Sequence, residues 1–427
     1  MLGPTSWFFL GALIAGFSAA LYWLVKTPRV ILRITAGVLA FAISTFFGMA
    51  LVNQHYAYYT SWGSLTDNLF GNGVTGYQQE LAPPSSKYDE HGNTPTGDNA
   101  PAKGPASSDG ITSNDDLAPA GSPALTPTPP SVSIGKIAVS AARVSGSGRV
   151  VQMDLAGPRS GVVRKGYVYL PPQYFLPAYA TTEFPVLELL HGDPGDPSGW
   201  IYALHVPTLM DHAINAGQIG PMVVVMPATF RGAHGQDCLD VAGGQLDDTY
   251  LASDVPTDVM NAFRVLPQGV HWAIGGLSDG GFCAANLALR HPGKYGAVAS
   301  MDGFYSVDDD AATLDRLLDH NTSALRANDP STLAADPELT LPRFWLMSGT
   351  GDSFDVKAAA HFRELVTMRE PVASLAVRGG HHTPSAWRVA LPSLLEWTWN
   401  TISGGPIGTQ STTLSITGGT PSAHPSL

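Results

Sequence analysis

The chain has 427 residues, a formal net charge of −12 and 14% charged residues, against roughly 25% charged in an average soluble domain. That length exceeds one ordinary core and calls for two or three organisational units. With no Lys/Arg run to neutralise phosphates, the acidic balance excludes a nucleic-acid binder, and its two cysteines, Cys238 and Cys283, match no zinc spacing.

The first element is an uncharged apolar run, Trp7–Val25. As a helix rising about 1.5 Å per residue, it approaches the roughly 30 Å of a bilayer's hydrocarbon core. A second run covers 30–52, with Arg33 near its start, where the side chain snorkels to the interface. Lys26-Thr27-Pro28-Arg29 leaves room only for a tight turn, so the two runs predict a transmembrane hairpin within an anchor over 1–80. Lys26, Arg29 and Arg33 are the only basic residues before Lys87. The positive-inside bias therefore predicts a multi-pass anchor with its turn in the cytoplasm and the rest of the chain outside. Trp7, Tyr22 and Trp23, then Tyr56, Tyr58, Tyr59 and Trp62, flank the runs as interfacial aromatics do. A cleaved signal ending near Ser18-Ala19-Ala20 is the weaker reading, because no basic segment precedes it.

Residues 81–131 are rich in Pro, Ser, Thr and Gly and poor in branched side chains, which predicts a disordered linker. Residues 404–427 have the same composition and predict a disordered tail. Between them, over 132–403, short apolar runs alternate with helical patterns. The runs are 166–170, 185–190, 222–226, 272–275, 298–301, 344–347 and 374–377; helical segments include 250–263 and 280–290. Several runs are apolar at consecutive positions, as strands covered on both faces are, which predicts a mostly parallel sheet flanked by helices. Outside the cytoplasm, Cys238 and Cys283 either pair or remain unpaired; their spacing does not decide.

Gly276-Leu277-Ser278-Asp279-Gly280 is a G-x-S-x-G element between an apolar strand and a helical run, the setting of a nucleophile elbow. This predicts an α/β-hydrolase fold with Ser278 as nucleophile; a Gly-rich β–α turn is the bland alternative. A serine needs a base oriented by an acid, in the chain order Ser, Asp/Glu, His. Asp352, after the strand 344–347, is the expected acid, with Asp355 as runner-up; a helix-cap aspartate is the structural alternative. His382 directly precedes the helix start Thr383-Pro384 and is the expected base, with His381 as competitor. The oxyanion hole is expected from the backbone N–H groups of Asp279 and of Asp193, in the loop His191-Gly192-Asp193-Pro194-Gly195. His191 is read as structural.

Residues 166–399 resemble the esterase D/mycolyltransferase family of serine hydrolases. The matching stretches are YVYLPPQYF, VLELLHGDPGDPSGW, VVVMP, TYLASDVPTDVMNAF, GGLSDGGFCAANLALRHPGKYGAVASMDG and HHTPSAW. The family places its histidine just before a Ser/Thr and five residues ahead of a tryptophan. His382, Thr383 and Trp387 satisfy that spacing, whereas His381 does not; the glycine doublet before His381 argues the other way. The resemblance implies an ester hydrolase or acyltransferase working through an acyl-serine, with no metal or organic cofactor; the predicted anchor and orientation make an ester of the cell envelope the expected substrate. Trehalose mycolyltransferases carry a sugar-contacting arginine where this chain has Asp193-Pro194-Gly195-Asp196, so transfer to trehalose is not implied. A catalytically retired domain that binds lipid or glycan is the competing function.

Overall fold

The computed structural model describes residues 6–56, 80–81, 146–230, 238–404 and 411–415. Tyr58, Tyr59, Trp62 and all of the expected linker after Leu81 lie outside the described residues.

Helix α1 (Trp7–Lys26) starts at Ser6, whose hydroxyl accepts the Phe9 N–H. Helix α2 (Val30–Tyr56) follows after three residues and packs against it. Leu10, Ala20, Ala36, Ala40 and Ala50 are buried between them, with Gly16 against Ile43 and Gly37 against Leu24. Small residues at the seam let the two helices approach closely. Phe8, Tyr22, Trp23, Ile31 and Phe41 face outward. Arg33 turns back and donates from Nε to the Leu24 carbonyl, 3.1 Å away, satisfying an orphan acceptor near the end of α1. By length and composition, Phe8–Lys26 and Val30–Asn53 are each able to cross a membrane.

The rest of the chain is built on one sheet. Its eight central strands are β2 (Arg149–Gly157), β3 (Val162–Leu170), β4 (Val186–Leu190), β5 (Val223–Met226), β6 (Gly269–Leu277), β7 (Tyr295–Met301), β8 (Arg343–Gly349) and β9 (Val372–Arg378). They lie in the order β2-β3-β5-β4-β6-β7-β8-β9; β3 runs antiparallel to both neighbours and the other pairs are parallel. The hairpin strand β2 was not among the sequence-predicted strands. It sits near the edge and alternates buried with half-exposed side chains, so it lacks the continuous apolar run that marks β4 and β5. Two short outer strands complete the sheet: β1 (Glu80–Leu81) beside β2, and β10 (Ser411–Ser415) beside β9. The second corrects the expected disordered tail over those residues, because the parallel ladder with β9 satisfies their backbone whatever their side chains.

Five further helices of eight or more residues cover the two faces among the described residues. Helices α4 (Val255–Ala262), α5 (Asp279–Arg290) and α6 (Ser353–Thr367) bury Val259, Phe282 and Phe362 on one face. Helices α3 (Val206–Asn215) and α7 (Pro384–Ile402) bury Met210, Leu391 and Trp399 on the other. Cys238 and Cys283, both fully buried, form a disulfide with Cα atoms 5.8 Å apart. The bridge ties the chain after β5 to the middle of α5.

Glu188, on the central strand β4, is wholly buried, and the Tyr295 hydroxyl donates to its Oε2 at 3.1 Å. Burial pushes its pKa up from 4.5 to about 8, against the opposing Tyr295 hydrogen bond and the Lys294 charge. The folded state therefore holds a proton that the unfolded chain releases at lower pH, so this contribution to stability is full below pH 4.5 and is lost as pH rises through about 8. Chemical denaturation across that window is expected to show stability falling with pH in the wild type. Glu188→Gln, which stays neutral, is expected to flatten that slope.

Candidate active site

Strand β6 delivers the chain to Ser278, whose backbone stands at φ 57°, ψ −127°, and α5 leaves from it at once. Such a conformation is costly for a non-glycine residue and persists only where the surroundings enforce it. Here the two motif glycines do so. A Cβ on Gly276 would lie 2.1 Å from the Gly280 carbonyl oxygen, and one on Gly280 would lie 2.1 Å from that of Leu190. The turn is pinned further by the Ser278 N–H donating to the Met301 carbonyl at 2.9 Å. The Ser278 carbonyl in turn accepts from the Gly281 and Phe282 amides, opening the helix.

His382 lies between β9 and α7, and its Nε2 is 2.8 Å from Ser278 Oγ. Its Nδ1 is 3.0 Å from Oδ2 of Asp355, whose side chain is almost wholly buried. With the Nδ1–H given to the carboxylate, Nε2 is left to accept the serine proton. The imidazole also meets the Trp387 ring edge-on, with centroids 5.3 Å apart. Burial disfavours the imidazolium, but the Asp355 hydrogen bond and charge, helped by Asp302 and Asp352, hold the His382 pKa above its ordinary value.

The acid expected from sequence is not the one in contact. Asp352 is the N-cap of α6: its Oδ1 accepts the Phe354 N–H at 3.0 Å and the Asp355 N–H at 3.4 Å. Asp355 sits one turn further on, and its side chain turns inward to the histidine. His381 is exposed, and its carbonyl accepts the Thr383 N–H at 2.7 Å.

The loop after β4 presses on the nucleophile, since a Cβ on Gly192 would come within 2.9 Å of Ser278 Cβ. Exposed Asp193 follows, and buried Asp279 opens α5. His191 is buried beneath this loop: its Nε2 accepts the Thr229 N–H at 3.0 Å, and its Nδ1–H donates to the Gly192 carbonyl at 3.0 Å. Burial lowers its pKa, so it is held neutral in that tautomer.

Sequence reasoning missed Asp302, at the carboxyl end of β7. Its backbone is left-handed (φ 46°), its side chain is buried, and its oxygens accept from the Gly349 amide at 2.8 Å and the Trp387 indole N–H at 2.7 Å. A carboxylate just past a parallel strand was the signal used for Asp352, and it was equally present in Met301-Asp302-Gly303.

The strand order, the antiparallel β3 and the serine poised on a strained β–α turn define an α/β-hydrolase of the serine type. The family model described as "Putative esterase" matches residues 159–398, more than half of the chain, which therefore belongs to that esterase family. An uncharacterized protein of Corynebacterium glutamicum is 29% identical over 265 residues; the match takes in 58% of this chain and 61% of that protein, less than two thirds of its length. A ferulic acid esterase (TM-score 0.51, 23% identity) matches 60% of this chain and 99% of its own. The S-formylglutathione hydrolase of Agrobacterium tumefaciens (TM-score 0.51, 18% identity) matches 61% and 97%. At these identities, the solved structures are similar in fold.

The two aspartates of α6 separate experimentally. Asp355→Asn is expected to lower kcat for ester hydrolysis by about four orders of magnitude, since the amide favours the wrong imidazole tautomer. Asp352→Ala is expected to cost about 1 kcal/mol of stability through the lost cap, while most of the activity remains. Steady-state kinetics with thermal melts on both variants checks this.

Proposed function

We propose that the chain is a membrane-anchored serine esterase or acyltransferase that works through an acyl-serine, with Ser278 as nucleophile, His382 as base and Asp355 as the orienting acid. The observation that carries the reading is the relay from Ser278 Oγ to His382 Nε2 (2.8 Å) and from Nδ1 to Asp355 (3.0 Å). Ser278 Oγ attacks the ester carbonyl as its proton passes to Nε2, and the imidazolium is held by Asp355. The backbone N–H groups of Asp279 and Asp193 are assigned to the oxyanion, and the N-terminal dipole of α5 adds to them. His382 then returns the proton to the departing alcohol. Water, or a second alcohol, takes the acyl group by the reverse sequence.

We place the catalytic domain outside the cytoplasm, on three grounds. The two apolar helices have the length and composition of spans. Lys26, Arg29 and Arg33 cluster at their turn, which favours a cytoplasmic turn. The Cys238–Cys283 disulfide belongs with an oxidising compartment. The substrate assigned is accordingly an ester of the cell envelope. No trehalose preference is expected, because Asp193-Pro194-Gly195-Asp196 offers no arginine to a sugar.

Ser278→Ala is expected to abolish hydrolysis of short acyl esters and labelling by a fluorophosphonate while the fold remains. Undiminished turnover by that variant would overturn the nucleophile assignment. Protease added outside intact spheroplasts is expected to release a soluble, active domain. A domain cut only after the membrane is opened would reverse the orientation.

A further inference from the structure

Two carboxylates, not one, are buried against the catalytic histidine. One carboxylate oxygen of Asp302, one of Asp355 and one ring nitrogen of His382 all lie within 4.8 Å of one another. The two aspartates come from different elements, the end of β7 and the first turn of α6. Only Asp355 holds the Nδ1–H. Asp302 has both oxygens engaged by N–H donors: the Gly349 amide at the end of β8, and the indole of Trp387 on α7. Its own N–H donates to the Met347 carbonyl at 2.9 Å. One side chain thus ties the ends of β7 and β8 to the helix that carries the ring facing His382. A fold needing only to join these elements would do so with a neutral acceptor. Burying a second charge beside Asp355 is expensive, and the left-handed backbone at Asp302 adds to the cost.

Resting on the triad reading above, we propose that Asp302 is a positioning residue for His382: a second buried carboxylate that stabilises the imidazolium and fixes the Trp387 ring beside it. The groups facing Asp302 are Asp355 on α6, His382 before α7 and Tyr305, whose hydroxyl is turned to Ser300 at 2.8 Å. Burial and then the Asp355 charge push the Asp302 pKa up to about 7, opposed by the Gly349 N–H, His382 and the Trp387 N–H. Asp302 therefore gains its charge across neutral pH, where a serine hydrolase's base must also lose its own. The sign follows. An ionised Asp302 raises the basicity of His382, so removing that charge lowers the pH at which the histidine becomes a competent base.

The test is the pH dependence of kcat/KM for p-nitrophenyl acetate, measured on the full-length protein in detergent. Asp302→Asn is expected to move the acid limb down by about one pH unit and to lower the plateau about tenfold. Trp387→Phe keeps a ring edge beside His382 but removes one donor from Asp302. That change delays ionisation of Asp302, so the limb is expected to move the same way by less. Circular dichroism establishes that each variant is folded; if Asp302→Asn is not, the Trp387→Phe profile decides alone. A limb that superimposes on the wild type in the folded variants, whatever the loss of rate, reduces Asp302 to a strut and overturns the proposal. Failure of the triad reading has a different signature, hydrolysis that survives in Ser278→Ala.

Discussion

Everything at the site depends on the strained turn at Ser278. A residue at φ 57°, ψ −127° is not stable by itself. It is held because β6 and α5 are each locked by extensive burial, and because the space at Gly276 and Gly280 is closed to any side chain. The turn stands the hydroxyl clear of the sheet at the start of a helix, where the dipole and the first amides favour negative charge. The loop carrying Gly192 and the loop carrying His382 then close on it from either side. The disulfide between Cys283, on that same helix, and the chain after β5 adds a covalent brace to the element supporting the turn.

The second constraint is electrostatic. The end of the sheet collects buried acids, Asp302 after β7 and Asp355 in α6, with a histidine between them and the serine. Desolvation alone would drive the Asp302 carboxyl neutral and strip the proton from the imidazole. The N–H donors of Gly349 and Trp387 oppose this at Asp302, and the Asp355 hydrogen bond with the nearby acidic charges leaves His382 more basic than usual. A raised basicity on a half-buried ring is what the proposed general base for a hydroxyl needs. His191 illustrates the contrary case. It is more deeply buried than His382 and has only backbone groups around its ring nitrogens, so it is held neutral and serves to shape the loop.

Much of this was legible in the sequence, for identifiable reasons. Strands covered on both faces are apolar at every position, so β4, β5 and β8 announced themselves, whereas the hairpin strand β2, half-exposed near the edge, did not. The elbow was readable because its sterics demand glycine at fixed spacing. The choice of His382 over His381 came from the distance to Trp387, and the structure shows that indole packed against the His382 ring. Sequence favours Asp352 while the structure brings Asp355 into contact with His382, because the two differ only by one helical turn. Sequence shows that a carboxylate follows the strand, but not which one caps the helix and which points inward. Asp302 went unseen for a related reason: the role of a buried carboxylate lies in its partners, which come from β8 and α7, far away in the chain. The strand Ser411–Ser415 was equally hidden, since parallel pairing at an edge draws on backbone groups that every composition shares.

On the proposed mechanism Ser278 forms the covalent intermediate, because the elbow, His382 and Asp355 activate its hydroxyl. Peptide mapping by mass spectrometry, after the full-length protein has reacted with a fluorophosphonate, tests it most directly. A single adduct is expected, on the peptide containing Gly276-Leu277-Ser278-Asp279-Gly280, formed more slowly as pH falls and His382 takes up its proton. An adduct on any other residue, or a folded protein that takes up none, would contradict it.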